Sequence, residues 1–209
     1  MQLGTFSNSI YTLCTWFYRL AYVNVLWILF TILGLGIFGL FPATIAMLAT
    51  LRQYINKKDV PVYSTFWKYY KDEFVKSNKL GAVIMLIAII LYINTQFIKT
   101  TDLSISEFMT VTSIIMSCFY FLVICYLLAS YVEFDLNVKT HIKNSILIAM
   151  YNPLPSLYII FGFAAVYYAL TYISGLGFFF SVSILGLVVL SSAKLAYRKI
   201  EKKQTALPT

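Results

Sequence analysis

The sequence predicts an all-α fold: a polytopic membrane helix bundle with five transmembrane helices, an N-terminal amphipathic segment and a cytoplasmic interfacial helix. Hydrophobic residues make up 60% of the 209 residues and charged residues only 11%, whereas a soluble domain carries roughly 25% charged residues. So few charges cannot cover a soluble globule with polar groups, and the chain is too apolar to stay disordered in water. Uncharged runs of about 20 residues, the length that crosses a bilayer, recur along the chain.

Four of the predicted spans are plain apolar runs. They cover residues 80–98, 106–132, 145–173 and 175–195. Span four contains a break at Pro153 and Pro155, since proline lacks a backbone donor and disfavours helix at the residue before it. This break is expected to join a short interfacial helix to the crossing. The alternative is a solute path lined by freed carbonyl groups.

The first apolar run is longer than one crossing requires. Residues 20–51 carry no charge and would extend about 48 Å as one helix. The run holds Gly34, Gly36, Gly39 and Pro42. These residues shape a packing face and favour a break at residues 34–42. Either the run is a single span, with the N-terminus outside, or it folds back as a re-entrant hairpin, with the N-terminus in the cytoplasm.

The N-terminal residues 1–19 form the predicted amphipathic segment. Apolar residues recur at helical spacing, at Phe6, Ile10, Leu13, Phe17 and Leu20. A segment of this kind lies along the membrane surface. It lacks the basic start and the small-residue cleavage site of a secretory signal peptide.

The basic residues predict how the chain is threaded. Of the 16 Lys and Arg residues, five crossings place all but Arg19 and Lys99 on one side, which the positive-inside rule makes cytoplasmic. The loop at residues 52–79 and the tail at residues 196–209 therefore face the cytoplasm of a cell-membrane protein, and the N-terminus is extracellular. Because the cations lie between apolar runs, they indicate anionic lipid as a partner and not nucleic acid.

The cytoplasmic loop contains an aromatic stripe. On a helix over residues 61–78, one face carries Tyr63, Phe66, Trp67, Tyr70 and Phe74. Lysines lie mostly beside this stripe, as in helices that rest in the lipid headgroup layer. The stripe is therefore predicted to contact the membrane surface, and docking of a partner protein is the alternative.

No pattern in the chain predicts catalysis, a metal or a cofactor. The sequence lacks the GxSxG, HExxH and GxxxxGK[ST] motifs, so neither an enzyme nor an ATPase is expected. Cys14, Cys118 and Cys125 have neither the spacing nor the neighbouring histidines of a metal site. His141, the single histidine, is expected to be solvated in a cytoplasmic loop.

Two further patterns have a structural explanation. Residues 34–39 match the GxGxxG dinucleotide fingerprint, with Asp59 twenty residues beyond, but a nucleotide fold needs alternating strands and helices. Span three carries hydroxyl groups at Thr110, Thr112, Ser113 and Ser117. These hydroxyls are expected to bind neighbouring helices, and a polar solute is the alternative. No ionisable residue lies mid-span, which counts against an ion-coupled pump.

Several residues in the first eighty follow a characteristic order. They are Asn24, Trp27, the glycine-rich stretch, Phe41, Pro42, Ala43, Ala46, Arg52, the aromatic residues 66–70, Phe74, Ser77 and Asn78. This order resembles the YesL-like family of small bacterial membrane proteins, which has no established biochemical activity. The genes of that family commonly lie beside those of ATP-driven sugar importers and glycoside hydrolases. The resemblance implies a bacterial cytoplasmic membrane and an accessory role in sugar import, and it transfers no catalytic residue.

The expected function is that of a non-catalytic accessory membrane protein. It would associate with membrane lipids and with the permease subunits of an ATP-driven carbohydrate importer, and support the assembly or activity of that importer. The alternative is a small oligomeric solute channel or facilitator. The cues for a channel are the hydroxyl face of span three and the proline break in span four.

Overall fold

The computed structural model describes residues 2–100, 106–172 and 176–205, and every regular element within these ranges is an α-helix. The helices are α1 (Gln2–Leu33), α2 (Ile37–Ile55), α3 (Val62–Lys99), α4 (Ser106–Glu133), α5 (Val138–Tyr151), α6 (Pro153–Tyr172) and α7 (Leu176–Thr205). The prediction of an all-α fold is confirmed.

Five segments of these helices are long and apolar enough to cross a membrane. They are Ile10–Leu33 of α1, Val62–Ile98 of α3, Glu107–Glu133 of α4, Pro153–Tyr172 of α6 and Gly177–Ile200 of α7. Large apolar side chains such as Ile90, Ile115 and Phe161 are more than half exposed, as in helices that face lipid. The prediction of a polytopic membrane bundle with five apolar spans is confirmed.

The first apolar run folds into a helical hairpin. Helix α1 includes both the predicted amphipathic segment and the start of this run, and it ends at Leu33. A turn follows at residues 34–36, where Leu35 and Gly36 have φ values of 58° and 74°. This left-handed conformation is open to glycine and costs other residues energy. The predicted break lies at this turn, so Gly34 and Gly36 of the GxGxxG match belong to the connection between two helices, and Gly39 lies in the first turn of α2.

Gly34 and Gly39 let the two helices approach each other closely. A Cβ on Gly34 would lie 2.3 Å from Gly39 Cα, so no larger residue fits without moving a helix. Farther from the turn, Trp27 Nε1 of α1 donates to Thr44 Oγ1 of α2 at 3.0 Å. Helix α2 therefore runs back along α1 in the opposite direction.

Pro42 lies inside α2 without ending it. Proline has no N–H, so the carbonyl of Phe38, four residues earlier, loses its helical donor. The side-chain amide of Asn78 on α3 donates to Phe38 O at 2.9 Å. A neighbouring helix thus supplies the missing hydrogen bond.

Helix α3 joins two segments that the sequence pattern separates. It is one continuous helix of 38 residues, where a loop at residues 52–79 and a span at residues 80–98 are predicted. The junction contains Gly81, and a Cβ there would lie 2.2 Å from the ring of Phe41. The ring of Phe41 on α2 fills the space beside Gly81. Packing against α2 therefore stabilises α3 at a residue with low helix propensity.

Helix α5 is a separate short helix between two spans, where span four is predicted to start at residue 145. Asn152 separates it from α6, which begins at Pro153. The residues of α5 buried in the bundle are His141, Ser145, Ile148 and Ala149. On the outside, Lys139 is exposed and Met150 is 62% exposed. A short helix with this division fits the interfacial helix that the sequence predicts before the proline break.

Helix α2 lies at the centre of the bundle, in contact with α1, α3, α4 and α7. Its almost fully buried residues include Ala43, Ile45, Ala46, Leu48 and Leu51. Gly186 brings α7 close, since a Cβ there would lie 3.0 Å from the side chain of Met47. Because protein surrounds α2 on several sides, its apolar residues pack against neighbouring helices on more than one face.

We expect Asn78→Ala to lower the free energy of unfolding by about 1 kcal/mol, because Phe38 O loses its donor. In a Pro42→Ala background the same substitution should cost less, since the restored backbone N–H of residue 42 can bond to Phe38 O. A double-mutant cycle of unfolding in mild detergent measures the difference. Equal losses in both backgrounds would show that Asn78 does not compensate for Pro42.

Candidate interaction sites

The aromatic stripe of α3 packs mainly against the hairpin. The rings of Tyr63, Phe66, Trp67 and Tyr70 lie around Phe30 of α1, with centroids 4.9 to 6.5 Å from its ring. Tyr70 OH also donates to Phe30 O at 3.1 Å. Phe66 and Tyr70 are only 0% and 6% exposed, so they hold α3 against α1 and do not contact lipid or a partner.

The other residues of the stripe are more accessible. Phe74 is partly buried against the same core. Tyr63 and Trp67 are 52% and 44% exposed. Within the stripe, Tyr63 and Trp67 are therefore the residues most accessible to lipid or a partner. Phe66 and Tyr70 form a helix–helix contact.

Arg52 connects α2 to α4. Its Nη1 donates to the backbone oxygen of Val132, and its Nε lies 3.9 Å from Glu133 Oε2. Nearby, Tyr131 OH of α4 donates to Glu73 Oε2 of α3 at 2.6 Å. These residues line a cleft of about 290 Å³. Since both side-chain hydrogen bonds cross between helices, the cluster fixes α2, α3 and α4 relative to one another.

A larger cleft lies between α1 and the connection from α2 to α3. Its volume is about 680 Å³. We call it the tyrosine cleft, because its lining includes Tyr11, Tyr18, Tyr22, Tyr54 and Tyr63, together with Arg19 and Asp59. Three of the tyrosines lie on one helix at positions that share a face.

Two groups fix the position of Arg19 in the tyrosine cleft. Its Cζ lies 4.3 Å from the ring centroid of Tyr54, and its Nη2 lies 2.5 Å from Asp59 Oδ1. Tyr54 OH donates to Val60 O at 3.0 Å. Burial raises the pKa of Tyr54, the Arg19 cation opposes this rise, and the Asp59 carboxylate adds to it. Tyr54 is therefore a neutral hydrogen-bond donor at physiological pH.

Within the bundle, Asn24 of α1 bonds to the backbone of α7. Asn24 is 0% exposed. Its Nδ2 donates to Phe178 O at 2.7 Å, and its Oδ1 accepts from the N–H groups of Val182 at 3.0 Å and Ser183 at 3.1 Å. In the sequence, Asn24 is a polar residue in an apolar run and the first residue of the order that resembles the YesL-like family. Its partner helix lies more than 150 positions away, and no local spacing pattern identifies it.

His141 is buried at 1% exposure, in contrast to the predicted solvated position. Its Nδ1 lies 2.9 Å from Ser130 Oγ on α4, so the side chain ties α5 to α4. Burial lowers the pKa of His141, and a backbone hydrogen bond at Leu136 and the carboxylate of Asp135 oppose that shift. The ring therefore stays neutral in the folded protein at physiological pH.

The hydroxyl groups of α4 bond to helices. Thr112 donates to Phe108 O at 2.9 Å and Ser117 donates to Ser113 O at 2.9 Å, both within α4. Ser113 Oγ lies 2.8 Å from Thr95 Oγ1 on α3. These three hydroxyls satisfy backbone oxygens or join two helices, which is their usual role in a membrane bundle.

Groups that could hold a metal ion do not converge anywhere in the described part of the chain: no three His, Cys, Asp or Glu side chains come together there. Cys14 and Cys118 are exposed and Cys125 is buried, and all three are free thiols. The described residues of the clefts supply hydrogen bonds, ion pairs and aromatic contacts.

Comparison with known proteins identifies the family. The family described as "Protein of unknown function, DUF624" matches residues 20–95. The uncharacterized protein YesL of Bacillus subtilis (strain 168) is 30% identical over 207 residues, which cover 98% of this chain and 97% of YesL. This chain belongs to the YesL-like family. The resemblance seen in the sequence is thereby confirmed.

Two further relatives in the YesL-like family come from the same bacterium. The uncharacterized protein YesV is 30% identical over 198 residues, which cover 94% of this chain and 95% of YesV. The uncharacterized protein YteU is 37% identical over 173 residues, which cover 82% of this chain and 78% of YteU. No solved structure matches the chain.

The segment matched by the family, residues 20–95, contains the hairpin and almost all of α3. It also contains Asn24, Arg52, Tyr70 and Asn78, which bond to α7, α4, α1 and α2 respectively. The matched segment of this YesL-like protein therefore supplies several of the polar connections between helices.

We expect acid to destabilise the protein through His141. Because its pKa in the folded protein is below the ordinary value of 6.5, the unfolded chain takes up a proton first as the pH falls. The contribution of neutral His141 to the free energy of unfolding is fully present above about pH 6.5 and declines below it. The unfolding temperature of the wild type should therefore fall more steeply between about pH 7.5 and pH 5.5 than that of His141→Gln. If the unfolding temperatures of the wild type and of His141→Gln fall equally, groups other than His141 cause the acid sensitivity.

Proposed function

We propose that the protein is a non-catalytic accessory subunit that binds the permease subunits of an ATP-driven carbohydrate importer in the cell membrane and supports its assembly or activity. The observation that carries the proposal is the tyrosine cleft. The gene context implied by the YesL-like resemblance supports a sugar importer as the partner. The proposal rests on binding, because the clefts offer contacts for recognition and the sequence contains no familiar catalytic motif.

The composition of the tyrosine cleft suits a protein partner. Tyr11, Tyr18 and Tyr63 are 74%, 61% and 52% exposed. Tyrosine and arginine are enriched at the centres of protein interfaces, since each combines a large contact area with a polar group. Tyrosine also favours the boundary between lipid and water. The cleft is therefore matched to a partner that meets this protein at the membrane surface, as a neighbouring permease helix or its connecting loop does.

Two existing contacts pre-organise this surface. Arg19 is already held by the ring of Tyr54 and the carboxylate of Asp59, so binding a partner needs little further ordering of this long side chain. Asp59 itself is 89% exposed at its side chain and can accept hydrogen bonds from a partner. The cleft thus offers fixed polar groups between flat aromatic surfaces.

A solute channel has less support. The hydroxyls of Thr112, Ser113 and Ser117 are bonded to helices. At the proline break, Asn152 O accepts from both the N–H and the hydroxyl of Ser156. These groups are therefore engaged in structural hydrogen bonds, and the accessory role is preferred.

We also infer that the start of α1 and the end of α7 face the cytoplasm together. Arg19 of α1 pairs with Asp59, and Lys194 Nζ of α7 donates to Asn56 Oδ1 at 2.8 Å. A single crossing of residues 20–51 would place Arg19 outside and Asp59 inside, which is incompatible with their ion pair. The hairpin alternative places both on one side and leaves only Lys99, among the 16 basic residues, on the other.

Cysteine accessibility tests this orientation. In a chain with Cys14, Cys118 and Cys125 replaced by alanine, Ser7→Cys and Thr205→Cys should both resist an impermeant maleimide in intact cells and react in inverted vesicles. Both should react alike, because the hairpin returns the chain to its starting side. Labelling of Ser7→Cys in intact cells, with Thr205→Cys still protected, would contradict this orientation and support the extracellular N-terminus predicted from a single span.

Affinity purification tests the proposed partner. From cells growing on the relevant sugar, the wild-type chain in mild detergent should carry permease subunits identified by mass spectrometry. Tyr11→Ala combined with Tyr18→Ala should reduce this recovery about tenfold or more, because exposed interface tyrosines carry much of the binding energy. The matched control is Tyr158→Ala on α6, which is 56% exposed and lies outside the cleft.

Two results would contradict the proposal. One is recovery of the wild-type chain without permease subunits. The other is equal recovery of permease subunits by the cleft variant and by Tyr158→Ala, which would move the interface away from the tyrosine cleft. Solute flux through liposomes that contain only the pure protein would favour a channel instead.

A further inference from the structure

Two buried polar atoms belong to residues that line one small cavity between α2, α4 and α7. They are Arg52 Nε of α2 and Tyr197 OH of α7, and neither atom has a hydrogen-bond partner among the described residues. Both side chains line the cavity, together with Ala129 and Glu133 of α4. A buried donor without an acceptor costs free energy, so native structures satisfy such groups with protein atoms or with ordered water.

The polar side chains beside these two atoms are too far away or already engaged. Arg52 Nε lies 3.9 Å from Glu133 Oε2, which is too long for a direct hydrogen bond and within reach of one bridging oxygen. Ser130 of α4 lies close to the Tyr197 hydroxyl, but Ser130 Oγ is itself 2.9 Å from His141 Nδ1. A single bridging group in the cavity would satisfy both Arg52 Nε and Tyr197 OH.

The size of the cavity suits a single water molecule. The centre of a water molecule has about 10 Å³ available within it, and a buried water needs roughly this much room together with several polar partners. The side chains of Arg52 and Glu133 are 26% and 33% exposed, so water can reach the cavity from outside the bundle. Room, polar partners and access are therefore all present.

We propose that this cavity is a binding site for one ordered water molecule, the bridging water, which joins α2, α4 and α7. The oxygen of the bridging water accepts from Arg52 Nε and from Tyr197 OH, and the water donates to Glu133 Oε2. About three hydrogen bonds are usual for a buried water. The site satisfies both unpartnered atoms and completes the ion pair, and it does not depend on the proposed accessory function.

The bridging water extends the contacts of Arg52 to a third helix. Arg52 donates directly to the backbone oxygen of Val132 on α4, and through the water it also reaches Tyr197 on α7. At the same cavity, Lys194 Nζ of α7 donates to Asn56 Oδ1 of α2 at 2.8 Å. At this cavity α7 is thus joined to α2 by a direct and a water-mediated hydrogen bond.

An experimental structure of the wild-type protein in a lipid nanodisc, at a resolution that shows ordered water, tests the site directly. We expect density for one water within hydrogen-bond distance of Arg52 Nε, Tyr197 OH and Glu133 Oε2. Well-ordered side chains around a cavity without water density would overturn the proposal. Direct hydrogen bonds from Arg52 Nε to Glu133 and from Tyr197 OH to Ser130 would overturn it as well.

Unfolding in mild detergent provides the second readout. Tyr197→Phe should lower the folding equilibrium constant about fivefold, because the bridging water loses a partner. Removing a hydroxyl that has no partner would instead leave the equilibrium constant unchanged or raise it. An unchanged or raised equilibrium constant in Tyr197→Phe would therefore overturn the proposal.

A double-mutant cycle separates the bridging water from a local effect at Tyr197. Arg52→Lys removes Nε, so Tyr197→Phe should have a smaller effect in that background than in the wild type. The matched control is Tyr120→Phe, whose hydroxyl donates to Ile84 O and lies outside the cavity, and its effect should be the same in both backgrounds. Equal effects of Tyr197→Phe in both backgrounds would overturn the proposal. If Arg52→Lys does not fold, the nanodisc structure decides, since it requires no variant.

Discussion

The close approach of Gly34 and Gly39 is the constraint on which the rest of the bundle depends. Because a Cβ at either glycine would collide with backbone atoms, only glycine lets α1 and α2 reverse direction within three residues and remain in contact. This hairpin puts α2 at the centre of the bundle. It also brings Arg19 beside Asp59 and lets Asn24 reach α7. Both the tyrosine cleft and the contact between Asn24 and α7 therefore follow from a single tight reversal of the chain.

Polar side chains then determine how the remaining helices assemble. Lipid tails are as apolar as leucine, so apolar contact alone gives helices little reason to choose one another in a membrane. Arg52, Tyr70 and Asn78 each donate to a backbone oxygen of another helix. A backbone oxygen lacks a helical donor only at special places, such as four residues before Pro42. Bonds of this kind favour one register between helices, which apolar packing would leave less defined.

The sequence predicted the features that depend on local composition. Apolar length and charge predicted five spans, and glycines and prolines marked where the chain turns. The continuity of α3 was not predictable, because the aromatic and basic residues before its span have the pattern of a surface helix. Phe30, the residue that the aromatic stripe surrounds, has no distinguishing spacing of its own. His141 was expected in solvent, since no local pattern shows that Ser130 offers its ring a buried partner.

The buried polar groups Asn24, Tyr70 and His141 hold the bundle together, whereas the tyrosine cleft keeps exposed aromatic surface. Its exposed rings of Tyr11 and Tyr18 bury little surface within this chain, so burial by another molecule would gain what folding leaves unused. Helix α1 supplies these rings and also supplies Asn24, which lies between one and two turns beyond Tyr18. The exposed rings of the tyrosine cleft and the buried contact between α1 and α7 therefore depend on the same helix.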